Sequence, residues 1–301
     1  MDFQTIETFL KVATTQNISK TAQQTGYSQS AITVQIQKLE KELGVKLFER
    51  IGKHVYLTEK GAAFIPYAND ILKSTNKALA FSQGEEKIKG ILRIGGVESI
   101  CTGLLPSLLL DFYRVCPEVE VIVRSGTTTD LINQLCSHEL DFVFTFDEPL
   151  YRSDLICDVK QPEEVIFLTL YNESFDQSQC LPIKQLCKQP FLLTEANAAY
   201  RFVLEKMLAE KGIEIRPILE IGNTETIINL LKKGMGVSFL PLFTVQELLK
   251  EKRLMQLRTD LKPTKMYHQL LHHKGKWVTP QMEIFTNLVT SYFEQKKKCK
   301  P

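Results

Sequence analysis

Between residues 18 and 43 the apolar positions recur at helical intervals, with two polar interruptions. Ser19 is placed to cap a short helix, Gly26 supplies a turn, and Ser28 caps a second helix. That second helix carries Ile32, Ile36, Leu39 and Leu43 at intervals of four, three and four, which is one buried stripe. Its other face is short and polar, with Gln29, Ser30, Thr33 and Gln37. The pattern predicts a helix-turn-helix, in which short side chains let the second helix approach base edges. A generic amphipathic hairpin in a small helical domain has the same spacing.

A longer helix is predicted from Thr58, its cap, to about Gln83. Phe64, Ala68, Ile71, Thr75, Ala78 and Ser82 alternate four and three residues apart, and Leu72 and Leu79 widen that face. This is the period of a two-stranded coiled-coil seam; packing of the face on its own domain is the alternative. Pro66 falls in the first two turns, where proline costs least. Residues 82–87 break the pattern and read as a hinge. From Gly90 short apolar runs at 91–94, 119–123, 142–144, 191–193 and 237–240 alternate with helical stretches at 104–115, 130–137, 200–211 and 224–233. That rhythm predicts an α/β domain with a mostly parallel sheet.

The run Leu39-Glu40 to Leu43-Gly44, Leu47-Phe48 and Arg50, followed by Leu57-Thr58, resembles the N-terminal signature of LysR-type transcriptional regulators. Phe3, Phe9, Val12, Ala13, Ala22 and Ser28-Gln29-Ser30-Ala31 share that resemblance, with Thr21 and Thr33 as size-conserving departures. Gly234-Met235-Gly236 leading to Pro241, and Leu140-Asp141-Phe142, extend it more loosely over the rest of the chain. The resemblance implies a winged helix-turn-helix at 1–58, a dimerising linker helix at 59–84 and an effector domain at 88–301. The last would have two lobes like those of periplasmic solute-binding proteins, at about 90–160 with 267–295, and at about 162–265.

What the resemblance implies for DNA is specific. Gln29, Ser30, Thr33 and Val34 occupy base-facing positions, with Ser28 opening their helix. Gln29 suits adenine, and the methyls of Thr33 and Val34 suit a thymine methyl. Many relatives have proline at 30 and arginine at 34, so a different base preference is expected. Lys38, Arg50, Lys53 and His54 are the candidates for phosphate contact. The implied partners are a double-stranded DNA operator, a small-molecule effector, further copies of the chain as a dimer or dimer of dimers, and RNA polymerase.

Ligands of open α/β lobes sit beyond the carboxyl ends of strands, against helix N-termini. Candidate effector contacts on that rule are Ser99, Ile100 and Cys101, then Thr127 and Thr128, then Thr194, Glu195, Tyr200 and Arg201, and finally Asn223 and Thr224. Of these, Ser99, Thr128 and Thr194 match positions that touch effectors in the resembling family. Hydroxyls and amides beside free N–H groups predict a small anionic metabolite. Each residue alone reads equally well as an ordinary N-cap. Arg201 either pairs with the ligand or bridges the lobes through a carboxylate such as Glu195.

Composition narrows the alternatives. The 301 residues are 44% hydrophobic and 24% charged, as in a soluble protein of two or three domains. Net charge is only +2, and residues 1–60 hold seven Lys and one Arg against one Asp and five Glu, so DNA affinity must come from placement and dimerisation. No apolar run nears the ~20 residues of a membrane span, and Met1-Asp2-Phe3-Gln4 lacks the regions of a signal peptide. A cytoplasmic protein is expected, without membrane contact. Seven cysteines without CxxC spacing are expected to be free thiols, with Cys116, Cys136 and Cys157 in the core. A thiol redox sensor through Cys101 is one rival, although peroxide-sensing members of the resembling family carry their cysteines in the segment matching 195–210, where this chain has none. A DNA-binding regulator whose α/β half only oligomerises is another. No phosphate loop, GxSxG or HExxH motif marks an enzyme, and no cofactor is expected. His268, His272 and His273 are read as surface residues rather than a metal site.

Overall fold

Each of the first three helices begins at a side-chain cap and ends on a left-handed residue. In the computed structural model, which describes residues 2–51, 54–82, 88–174 and 179–298, α1 (Phe3–Thr15) starts where Asp2 accepts the Thr5 N–H and stops at Gln16, φ 49°. Helix α2 (Ile18–Thr25) starts at Asn17, not Ser19, because Asn17 holds the extended backbone and accepts the Lys20 N–H. It ends at Gly26, φ 72°, a conformation that suits glycine. Helix α3 (Gln29–Leu43) starts at Ser28, as expected, and ends at Gly44.

An antiparallel wing follows, β1 (Phe48–Ile51) with β2 (His54–Leu57), in which Phe48 faces Leu57. Helix α4 (Glu59–Ser82) begins where Thr58 accepts the Gly61 N–H at 2.9 Å. These elements close on Phe9, fully buried between the rings of Phe48 and Phe64 at 5.4 and 5.2 Å. Ile32, Ile36 and Leu39 of the predicted stripe join that core, and so do Ile65, Ala68 and Leu72 of α4. The first half of the expected coiled-coil face therefore packs on its own domain. An apolar stripe beside an incomplete three-helix core is covered locally. Ala78, Leu79 and Ser82 lie where side chains are outside the description, and residues 83–87 of the expected hinge are outside the described residues.

The chain divides into two units, Met1–Gly90 with His273–Glu283, and Ile91–His272 with Ile284–Pro301. The second unit alternates strand and helix. In order these are β3 (Lys89–Gly96), α5 (Glu98–Gly103), α6 (Leu105–Val115), β4 (Glu118–Ser125), α7 (Thr128–Cys136), β5 (Phe142–Asp147) and β6 (Leu155–Leu170). Then come β7 (Cys180–Leu181), α8 (Ile183–Leu186), β8 (Phe191–Leu193), α9 (Ala199–Ala209), β9 (Leu219–Glu220), α10 (Thr224–Leu231) and β10 (Val237–Pro241). The series closes with α11 (Leu242–Lys250), β11 (Leu254–Thr259), β12 (Thr264–His273) and α12 (Pro280–Lys298).

The strand order β4-β3-β5-β12-β6-β10-β8-β9 explains the two lobes. Strand β3 runs parallel to β5 in one, and β10, β8 and β9 run parallel in the other. The 16-residue β6 is too long for either lobe alone. Its end pairs antiparallel with β10 and β11, while β12 lies beside it and pairs with β5. Strands β6 and β12 are thus the two crossovers. Alternation of apolar runs had shown the short strands but not β6, whose Lys160-Gln161-Pro162-Glu163-Glu164 centre reads as a loop.

Candidate functional site

On α3 the polar face stands clear of the core. Gln29 and Ser30 are exposed and Thr33 half-buried, while Val34 is 62% exposed although it is apolar and lies one turn from buried residues. Ser28 Oγ accepts the Ala31 N–H at 3.1 Å and lies 2.9 Å from Ser30 Oγ, so the helix start is stiff. The Thr33 hydroxyl donates to the Gln29 carbonyl at 2.9 Å, which leaves the methyl as the group Thr33 can offer outward. Lys38 pairs with Asp2 at 2.8 Å, so this candidate phosphate contact also ties α3 to the cap of α1. Lys53 is outside the described residues, and the side chains of Arg50 and His54 are outside the description.

The wing is fixed to α3 by a buried carboxylate. Glu40 accepts the N–H groups of Leu47 (2.9 Å) and Phe48 (3.2 Å) and pairs with Lys46 at 2.7 Å. Sequence reasoning took Glu40 only as part of the signature; an acid directly beside Leu39 of the buried stripe was the available signal.

In the second unit, strand ends of both lobes meet at a cavity of about 280 Å³. Val97, Glu98 and Ser99 reach it after β3, Ser125 to Thr128 at the end of β4, Phe146 at the end of β5, Thr194, Glu195 and Asn197 to Tyr200 after β8, and Gly222 after β9. Thr127 caps α7, and the Thr128 hydroxyl donates to Asp147 at 3.0 Å. Burial pushes the Asp147 carboxyl up, and the Thr128 bond opposes this. Tyr200 is pushed up to about 12 by burial, so it stays a neutral hydroxyl, with Thr224 and Thr194 beside it. Gly222 lacks a Cβ where Glu195 lies: a Cβ there would stand 2.1 Å from Glu195 Oε1.

Of the candidate contacts, Ser99, Thr127, Thr128, Thr194, Glu195 and Tyr200 line this cavity, and five others do not. Ile100 is fully buried in the core, as the inward side of a short helix requires. Cys101 turns its thiol onto the Gly96 carbonyl at 3.4 Å, filling the space that glycine leaves. Burial pushes that thiol up, away from the thiolate a redox sensor needs. Arg201 is buried, donates to the Thr194 carbonyl and pairs with Glu205 at 2.8 Å and Glu220 at 2.7 Å, not with Glu195. Two acids within its own lobe satisfy it without a ligand. Asn223 caps α10 by accepting the Thr226 N–H at 2.8 Å. Thr224 is taken by Glu98, whose carboxylate accepts the Thr224 N–H at 3.0 Å and also its hydroxyl.

Glu98 and Asn197 belong to the strand-end segments that the sequence marks out for a ligand but are not among the candidate contacts, and Phe146 reads from the sequence as core. Glu98 sits beside Ser99 in the sequence, but nothing local tells its direction, and Phe146 is also buried. The expected anionic ligand fits this lining poorly. Among the described residues that line the cavity, Glu98 and Glu195 are acidic and no lysine, arginine or histidine is present.

Other expectations change too. His268 is 1% exposed within a cage of Phe144, Phe146, Phe243 and Phe293, and burial drives it down to about 3. His272 is also buried and meets Asp158 at 2.6 Å. Neither is a surface residue, because β12 is an inner crossover strand and covered on both sides. Cys116 is buried as expected, Cys136 only partly, and Cys157, near the start of β6, is exposed.

Comparison with known proteins joins the two units into one kind of protein. The family described as bacterial regulatory helix-turn-helix protein, lysR family, matches residues 3–62, and the LysR substrate binding domain matches residues 85–294. The uncharacterized HTH-type transcriptional regulator YwqM of Bacillus subtilis (strain 168) is 30% identical, over 98% of this chain and 100% of its own. The HTH-type transcriptional regulator GltR of the same strain is 28% identical over 99% of both. Among solved structures, HinK of Pseudomonas aeruginosa, a LysR family transcriptional regulator, has a TM-score of 0.54 at 19% identity, covering 97% of this chain and 98% of its own. Vibrio fischeri DarR in complex with DNA has a TM-score of 0.52 at 18% identity, covering 96% and 98%. At these identities the structures show the shared fold. The signature over α1 to α4 and the two-lobed α/β unit have one common explanation: this chain belongs to the LysR family of transcriptional regulators, with a DNA-binding helix-turn-helix and an effector-binding domain.

Proposed function

We propose that this regulator reads an inverted-repeat operator as a homodimer or a dimer of dimers, and that a small polar molecule in the cavity controls it. The observation that carries the reading is the cavity itself, built from strand ends of both lobes and walled by hydroxyls. A ligand held there touches both lobes at once and changes the angle between them, and with it the spacing of recognition helices along DNA. Gln29, Ser30, Thr33 and Val34 read bases; Lys38, Arg50, Lys53 and His54 position the backbone. The protein acts in the cytoplasm, engages RNA polymerase and carries out no catalysis of its own. A scaffold role for the α/β unit, with no ligand, leaves the cavity and the buried unbonded Thr194 hydroxyl without a purpose.

Genome-wide fragment binding by the purified full chain, at about 150 mM salt where non-specific contacts are weak, tests this. The expected result is a small set of sites sharing an inverted repeat, with half-sites about one helical turn or a multiple apart. Enrichment without a shared repeat from a folded, oligomeric protein would overturn the reading of α3.

A further inference from the structure

We infer that the small molecule taken by this cavity carries a protonated amine. The inference rests on the reading of the cavity as the effector site and adds the chemical class. Three observations converge. The first is charge. Glu195 stands on the wall with its carboxylate packed over Gly222 and makes no side-chain hydrogen bond to a described residue, while Glu98 lies opposite, bonded to Thr224. Asp147 adds a third carboxyl behind Thr128. No basic side chain lines the cavity among the described residues, and Arg201, next to this segment in the chain, is already engaged by Glu205 and Glu220. Such walls repel a carboxylate or phosphate and attract a cation.

The second observation is Thr194. It is 5% exposed, its Oγ has no hydrogen bond of ordinary geometry although the Tyr200 hydroxyl is near, and it lines the cavity beside Glu195. A buried polar atom without a partner requires one. An ammonium is a pure donor, with three N–H groups and no acceptor, so it suits the Glu195 carboxylate and the hydroxyl-rich wall that Thr194 and Tyr200 form beside it. The third is Phe146, an aromatic residue that borders the same space, and aromatic rings attract cations. Helix N-termini at α7 and α9 remain for a second, electron-rich end of the same molecule.

The test uses the full-length chain and four probes of equal length that differ only in their end groups: putrescine, γ-aminobutyrate, succinate and butanediol, each with its next longer homologue. Binding is read by titration calorimetry for the native protein, Glu195→Gln and Glu195→Arg. The expected result is saturable binding of an amine-ended probe, weakened about tenfold or more in Glu195→Gln, and a reversed preference for the dicarboxylate in Glu195→Arg. Native binding of succinate over the amines overturns the amine assignment and leaves the effector site standing. No native binding, with succinate bound by Glu195→Arg, has the same meaning. Absence of binding by the native protein and by both variants overturns the amine and the effector site together.

Discussion

Glu98 and Thr224 lie 126 residues apart in sequence and are joined side chain to helix start: the Glu98 carboxylate accepts both the backbone N–H and the hydroxyl of Thr224. One residue follows β3 in the first lobe and the other opens α10 in the second. A side-chain anion thus sits at a helix N-terminus, where the dipole favours it, and it links the lobes without a ligand.

That link has a measurable weight. Glu98→Gln keeps the shape but gives up the charge, and hydrogen bonds to charged groups contribute about 1.5–3 kcal/mol. Loss of about 1–2 kcal/mol from the urea unfolding free energy of the full chain is expected, since Glu98 is only half-buried. An unchanged midpoint and slope would show that the bond is replaced by water at no cost.

The wing anchor is a costly side chain to remove, because its carboxylate is buried and fully engaged. Glu40→Ala strips two backbone N–H groups of their acceptor and leaves Lys46 unpaired. Destabilisation of about 2–4 kcal/mol is expected. Glu40→Gln, which retains an acceptor oxygen, should recover more than half of that loss in the same thermal melt. Equal loss from both would mean that charge, not the acceptor, holds the wing.

Sequence reading and positioning should separate on DNA. Gln29→Ala is expected to cost about 1–3 kcal/mol at the operator and to relax specificity at one base pair, with the salt slope unchanged. Lys53→Ala should weaken all sequences alike and flatten that slope by about one ion. Fluorescence anisotropy at several salt concentrations distinguishes them; a flattened slope in Gln29→Ala would reassign that residue to the phosphates.

His268 predicts an acid limb in the stability of the second unit. Its folded value, about 3, is depressed below the ordinary 6.5, so the unfolded chain takes up a proton that the folded cage refuses. This contribution to stability is complete above about pH 6.5 and is lost as pH falls from there towards 3, at up to about 1.4 kcal/mol per pH unit. His268→Leu should flatten the limb across that window in urea unfolding followed from pH 7.5 to pH 4.5. An identical limb in the variant would assign the acid sensitivity to other groups.

The sequence by itself determined what depends on neighbours along the chain. The apolar intervals through Ile32, Ile36 and Leu39 predict a buried stripe because a helix repeats every 3.6 residues, and Ser28, Thr58 and Thr127 announce helix starts because a cap acts on N–H groups two or three residues away. The alternation of short apolar runs with helices shows an α/β unit for the same local reason. Only the tertiary structure decided which polar side chains share a space. Ser99, Thr128 and Thr194 come from three strand ends and meet at one cavity, whereas Arg201, seven residues from Thr194, is spent on Glu205 and Glu220. The histidines of β12 looked like surface residues because their burial depends on strands distant in sequence. The sign of the cavity was decided there as well. A hydroxyl at a helix start serves an anion or an ammonium equally well, and the charge that chooses between them comes from Glu98 and Glu195, which follow different strands and which only folding brings to one cavity.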